Sequence, residues 1–220
     1  MSGPPVLVIA PHALDEVLGC GGVIARYTAK GRLVHTLVLC GDGVGLDARR
    51  REAAVSAAAL LGSQSPRFAG FPENRSDTVP IGEVVGVIEK TISELRPSTV
   101  YVSHGGNLNI DHQTAFRATA TALRPMPESS VIELFAYEIA SSTDWAPAGF
   151  GETFLPTCFV DVSQTLARKL EALQIYEFDM RPEPHARSIK ALESLARTRG
   201  ATVGMMAAEA FVISRILHRA

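Results

Sequence analysis

Val6-Leu7-Val8-Ile9-Ala10, then Pro11-His12-Ala13-Leu14-Asp15-Glu16, then Val17-Leu18-Gly19-Cys20-Gly21-Gly22-Val23-Ile24 is the stretch whose reading decides the fold. Its first five residues are an unbroken apolar run rich in β-branched side chains and closed by a proline, the pattern of a strand buried on both faces of a parallel sheet. Over residues 16–30 apolar positions recur at helical spacing (Val17, Val23, Ile24, Tyr27), and Lys30-Gly31 supplies a basic last turn and a terminating glycine. Strand, loop and helix therefore open the chain. Working outward, residues 33–40 form a second apolar run ended by Gly41-Asp42-Gly43, and residues 49–61 an alanine-rich helix stopped by Gly62. Residues 67–71, 99–103 and 131–139 read as further strands, and 81–95 as an amphipathic helix. Residues 160–177 mix a strand end with a helix from about Ser163, and 189–199 and 205–218 read as helical. Strands alternating with helices imply βαβ crossovers: an α/β, Rossmann-like, mostly parallel sheet with helices on both faces, in a single domain over 1–220. Ligands of such sheets sit beyond the carboxyl ends of the strands. The polar clusters fall there: 11–16 after the first strand, Asp42 after the second, and 104–112 after a later one.

Composition agrees with a compact globule and removes several classes of function. The 220 residues are 46% hydrophobic and 20% charged, enough apolar side chain to offset ordering entropy. With 21 Lys+Arg against 23 Asp+Glu the formal charge is -2, and no basic block of five or more residues occurs, so no nucleic-acid partner is expected. The three cysteines Cys20, Cys40 and Cys158 are odd in number and widely spaced, which fits reduced thiols rather than a disulfide framework or a zinc knuckle. Residues 1–10 lack the basic and long apolar regions of a secretory signal, and no apolar run reaches the roughly 18 to 20 residues that cross a bilayer. A cytoplasmic protein without a membrane span is expected, with homo-oligomerisation left open.

Two clusters carry chemistry. His12 and Asp15 lie three residues apart at a helix entrance, close enough for imidazole and carboxylate to face one point. The segment from His104 to His112 supplies another histidine, His112, and an adjacent Asp111 able to orient an imidazole. His12, Asp15 and His112 together would make three protein ligands with an open position, the pattern of catalytic rather than structural zinc. The plainer alternative at this point is a set of polar loop residues capping helices. Gly19, Gly21 and Gly22 do not make a dinucleotide loop, because nine residues, Pro11 to Gly19 inclusive, run from the strand end to the first glycine. Close helix packing or backbone approach to the site is their better role.

Residues 11–22 resemble the signature of the LmbE/PIG-L family of zinc-dependent N-deacetylases, P-H-P-D-D-E-x-L-G-C-G-G. Asn109-Ile110-Asp111-His112 is similar to its second motif, within the H-x-G-D-L-N-I-D-H form of one branch. Arg51-Glu52, Phe71-Pro72-Glu73-Asn74, Glu138 with Ser141-Ser142-Thr143-Asp144-Trp145, Pro184-His185-Ala186-Arg187-Ser188 and Ala208-Glu209-Ala210-Phe211 resemble further segments of that branch. The resemblance implies that His12, Asp15 and His112 hold a divalent metal, usually zinc. It also implies a small-molecule partner: an N-acetylglucosamine-type amino sugar, free or carrier-linked, that loses acetate by hydrolysis.

Two positions depart from the pattern. Leu14 stands where the family has its general base, and Asn107 where the branch has a second aspartate. Leucine accepts no proton, so the role falls to other candidates: Asp42 at a strand end, Asp111 beside a ligand, or His185 as proton or oxyanion donor. Glu16, the nearest carboxylate in sequence, reads as charge complementing the helix N-terminus. The competing expectation is an impaired family member that binds metal or sugar without turnover. Arg51, His104, Asn107, Glu138, Trp145 and Arg187 are the expected substrate contacts. Arg181, His185 and Arg187 form a cationic segment suited to a phosphate, and Trp145 is placed either on a sugar ring or in the core.

Overall fold

A computed structural model describes residues 3–218. The chain runs β1 (Val6–Ala10), α1 (Asp15–Ala29), β2 (Val34–Cys40), α2 (Gly45–Leu61), β3 (Arg67–Phe71), a 3-10 turn at Ser76–Thr78 and α3 (Ile81–Leu95). It continues with β4 (Thr99–Ser103), α4 (Ile110–Ala122), β5 (Glu133–Tyr137), β6 (Cys158–Asp161), α5 (Leu166–Gln174), α6 (Ile189–Ala201) and β7 (Ala208–Ile216). One seven-stranded sheet has the order β3-β2-β1-β4-β5-β7-β6. Neighbours from β3 to β5 pair in parallel, whereas β7 is antiparallel to both β5 and β6. The strand order reverses between β1 and β4, and that switch point is where an open α/β sheet opens a crevice beyond its strand ends.

Alternation along β1 shows why both faces are covered. Val6, Val8 and Ala10 pack with α1, α2, α5 and α6, while Leu7 and Ile9 point the other way onto α3 and α4. All five are buried, which accounts for an apolar run without polar alternation. Gly19 and Gly22 let α1 press on the sheet. A Cβ at Gly19 would lie 2.1 Å from the ring of Tyr137, and one at Gly22 2.8 Å from Val162. A buried ion pair clamps the middle of the same helix. Lys169 of α5 and Glu209 of β7 meet at 2.7 Å; the Lys169 ammonium also donates to the Leu18 carbonyl, and the Glu209 carboxylate accepts from the Gly22 and Val23 amides.

Two elements differ from the sequence expectation. Residues 205–218, expected as a helix, contain β7. Phe211, Val212, Ile213 and Ile216 are aromatic or β-branched, and inserting the segment between β5 and β6 satisfies its backbone on both edges. Helix α4 has no counterpart among the expected elements: its threonines are poor helix formers, and it begins because Asn109 caps the Asp111 amide. Boundaries shift elsewhere, most consequentially in α2, which starts at Gly45 rather than Arg49. Among the described residues no helix is long and apolar enough to cross a membrane.

Candidate metal centre and its pocket

Loop 11–14 leaves β1 at the switch point and turns into α1. The backbone N–H of His12 donates to Asp15 Oδ2 at 3.0 Å, and the amide of Leu14 to Glu16 Oε2 at 2.9 Å. The turn holds Leu14 at φ 102, a region that side chains other than glycine rarely occupy. On the far side of the switch point, α4 carries Asp111 and His112 in its buried first turn.

These two helix starts bring His12, Asp15 and His112 together. Asp15 Oδ2 lies 3.3 Å from His12 Nδ1 and 3.3 Å from His112 Nε2, and the donor atoms of all three residues fall within 4.8 Å of one another. Four ligands around zinc at about 2.0–2.1 Å stand about 3.3–3.4 Å apart, so both spacings match edges of such a tetrahedron. The other nitrogen of His12, Nε2, is 2.8 Å from Asp111 Oδ2, an arrangement that fixes the ring and leaves Nδ1 facing Asp15. Asp111 is held in turn by the Asn74 amide at 2.6 Å and the Ser76 amide at 3.0 Å. His112 Nδ1 is buried and meets no hydrogen-bond partner among the described residues, so the ring is held by packing and by Asp15 on its Nε2 side.

The electrostatics call for a cation at this point. Burial opposes charge on His12, yet hydrogen bonds with Asp111 and Asp15 outweigh it and push its pKa up to about 9. Burial likewise opposes ionisation of Asp15, but the His112 and His12 imidazoles bring it down to about 2. His112, buried and beside a cationic His12, is lowered to about 4 and stays neutral, the state that can donate to a metal. Against its own burial, Asp111 is held well below the carboxylate range by its bonds to His12, Ser76 and Asn74. A protonated His12 supplies the positive charge between two carboxylates, and a divalent metal held by the same three residues would take over that charge. The donor set therefore fits a divalent metal. His12, Cys40 and Asp111 also lie within ligand range, but burial and Asp111 push the Cys40 thiol far up, and amides already occupy Asp111.

A cavity of about 190 Å³ opens over the three residues. Leu14, 2% exposed, forms part of its wall, and Arg187 also lines it, its Nε donating to Ser141 Oγ at 2.7 Å. The remaining expected contacts do not line it. Asp42 is exposed and accepts from the Val44 amide in its own turn. Arg51 is tied to Asp47 at 2.9 Å and to the Gly41 carbonyl at 2.6 Å. His185 is not among the lining residues, its Nδ1 accepting from the Arg187 amide at 3.0 Å and its ring edge-on to Trp145, which is 53% exposed rather than core. His104 is buried against Phe154 and accepts from the Gly106 amide. Asn107 is fully buried and ties the Asn109 amide to Ser142 and Thr143. Glu138 pairs with Arg199 at 2.6 Å.

In their place the fold brings Arg50, Glu73, Asn74 and Asp179 into the cavity wall. Arg50 bonds Asp179 at 2.6 Å and Glu73 at 2.8 Å. Glu73 and Asn74 carry a readable signal, since they follow β3 at its carboxyl end. Asp179, from the segment after α5, carries none.

Comparison with known proteins agrees with this geometry. The family model described as PIG-L, GlcNAc-PI de-N-acetylase, matches residues 7–123, more than half of the chain. An uncharacterized deacetylase of Escherichia coli K12, YaiS, is 27% identical over 77% of this chain and 88% of its own length. A probable N-acetyl-alpha-D-glucosaminyl L-malate deacetylase 2 of Bacillus anthracis is 28% identical over 78% of this chain and 79% of its own. The N,N'-diacetylchitobiose deacetylase of Pyrococcus horikoshii superposes with a TM-score of 0.77 over 96% of this chain and 84% of its own; at 21% identity that likeness concerns the fold. With the signature after β1, the Asp-His pair at α4 and a matched family model converging on one crevice, the chain belongs to the LmbE/PIG-L family.

Proposed function

We propose that the chain is a zinc-dependent N-deacetylase of N-acetylglucosamine-type sugars, free or carrier-linked, releasing acetate and an amine. The observation that carries the reading is the His12, Asp15, His112 constellation, with two 3.3 Å donor spacings at the floor of a cavity on the switch point. Family membership and the acetamido sugars named for its relatives supply the substrate class. His12 Nδ1, Asp15 Oδ2 and His112 Nε2 would hold the ion, with Asp111 steadying His12 from behind. Bound there, zinc supplies a Lewis acid that polarises an acetamide carbonyl and acidifies water.

The chain's own groups do the rest. Arg187 and Arg50 offer fixed guanidinium donors to sugar hydroxyls or to an acidic carrier such as the malate in the Bacillus relative's name. Leu14 presents only apolar surface, so it neither orients the attacking water nor takes its proton. The proton acceptor must come from elsewhere in the wall.

Acetate release from N-acetylglucosamine and its malyl conjugate by the zinc-loaded protein is the test, with Leu14→Asp alongside. Turnover by the natural protein is expected. A silent natural protein beside an active Leu14→Asp variant would overturn the enzyme reading in favour of a binding member of the family. His12→Ala is expected to lose bound zinc; full retention would overturn the ligand assignment.

A further inference from the structure

Three carboxylates line the cavity: Asp15, Asp179 and Glu73. Asp15 faces both imidazoles and accepts the His12 amide. Asp179 has both oxygens engaged by Arg50, Nε to Oδ2 at 2.6 Å and Nη2 to Oδ1 at 3.3 Å, and its side chain is 7% exposed. Glu73 differs. Its Oε1 accepts from Arg50 Nη1 at 2.8 Å, no donor among the described residues reaches Oε2, and a third of the side chain is exposed.

The position of Glu73 is set from two sides. The next residue, Asn74, donates its amide to Asp111 Oδ2, the same oxygen that meets His12 Nε2, and the Ser76 amide takes Asp111 Oδ1. Asn74 makes this turn at φ 55, a conformation asparagine tolerates, and its side-chain oxygen accepts from Asn109 at the start of α4. Arg50 of α2 pins the other end of the glutamate. One carboxylate, Asp111, thus registers the Glu73 loop to the His12 ring. Glu73, His12, Asp15 and His112 line one and the same cavity of about 190 Å³, so the glutamate faces the space in which a water beside the three donors would stand, and a general base acts there directly or through one water.

We propose that Glu73 is the proton acceptor of the reaction, in place of the carboxylate that position 14 lacks. The inference rests on the deacetylase reading. As the water oxygen bonds to the acetamide carbonyl carbon, one water proton passes to Glu73 Oε2. When the C–N bond breaks, Glu73 returns that proton to the departing amine nitrogen, acetate leaves, and the carboxylate is restored. Arg50 keeps Oε1 fixed throughout, so Oε2 is the oxygen that cycles. The other candidates lack a free acceptor in the cavity: Asp42 is exposed in its own turn, Asp111 has its oxygens filled by three donors, and His185 lies outside the lining.

Glu73→Gln, Glu73→Asp and the double variant Leu14→Asp/Glu73→Gln test this, with acetate release, KM and zinc content measured for each. Loss of the base lowers kcat about a hundred- to ten-thousand-fold, and Glu73→Gln is expected to show that loss with KM and bound zinc unchanged. Glu73→Asp, which keeps the carboxylate but shortens its reach, is expected to fall between. Leu14→Asp/Glu73→Gln is expected to regain turnover, because a carboxylate returns to the wall at position 14. Two results overturn the inference while leaving the deacetylase reading intact: Glu73→Gln with unchanged kcat and raised KM, or a double variant as inactive as Glu73→Gln alone. A natural protein that releases no acetate while Leu14→Asp does would overturn both.

Discussion

Removing Glu209 would expose how strongly α1, which carries Asp15 in its first turn, depends on the clamp at its middle. In Glu209→Ala the Lys169 ammonium, 6% exposed, keeps only the Leu18 carbonyl, and the Gly22 and Val23 amides lose their side-chain acceptor. Breaking one half of a buried ion pair costs about 3–5 kcal/mol because the remaining charge stays out of water. Unfolding entropy of about 2.1 cal/mol/K per residue over 220 residues gives about 0.46 kcal/mol/K, so a loss of about 4 kcal/mol lowers the midpoint by roughly 9 °C. Calorimetry of the metal-free protein measures this directly. Adding Lys169→Met removes the stranded ammonium, and the double variant is expected to recover most of the loss. A single variant within about 2 °C of the natural protein, or a double variant less stable than the single, would refute the reasoning.

Two further outcomes follow from the same hydrogen-bond network. Asp111→Asn removes the charge behind His12 Nε2 and is expected to weaken zinc binding about 10–100-fold in a chelator competition; an unchanged Kd would show that Asp111 does not support the ligand. Glu16 is fully enclosed, and burial, though countered by the Tyr176 hydroxyl and the Leu14 amide, raises its pKa from the ordinary 4.5 to about 7. Between those values the folded state holds a proton that the unfolded state has released, so stability falls with rising pH, by about 3 kcal/mol in all for the metal-free protein. Glu16→Gln abolishes that titration, and its stability relative to the natural protein is expected to rise across the same interval and stay flat outside it; a constant difference across pH counts against the assignment.

The parts of this molecule that are legible in its sequence are those set by short-range pattern. β1, α1 and β2 announce themselves through an apolar run, a helical repeat and a terminating glycine, and the polar residues that follow each strand mark the crevice. Residues 205–218 mislead because alanine, methionine and leucine favour a helix locally, whereas vacant strand edges on β5 and β6 decide the outcome. Within the site, spacing pairs His12 with Asp15 at a helix entrance but leaves helix capping as the plainer reading, and it is the resemblance of residues 11–22 and 109–112 to the family motifs that joins His112 to them. Arg50 is hidden by phase: α2 begins four residues earlier than its composition suggests, and neighbouring side chains diverge by about 100° around a helix. Arg51 therefore turns to Asp47 while Arg50 enters the cavity. Asp179 lies more than a hundred residues further along the chain and is brought in by tertiary folding, where its ion pair with Arg50 holds it.

Leu14 at φ 102 has a consequence for what this scaffold can become. The unusual backbone is imposed by neighbours, the Glu16 carboxylate accepting its own amide and the Asp15 carboxylate accepting the His12 amide two residues before it, and owes nothing to the chemistry of the leucine side chain. Strain of about 1–3 kcal/mol is thus retained for a residue that carries a Cβ there, and glycine alone would relieve it. The scaffold holds open a socket whose direction toward the cavity is preserved while its content is free to vary, so exchange at this one position retunes proton transfer without rebuilding the loop.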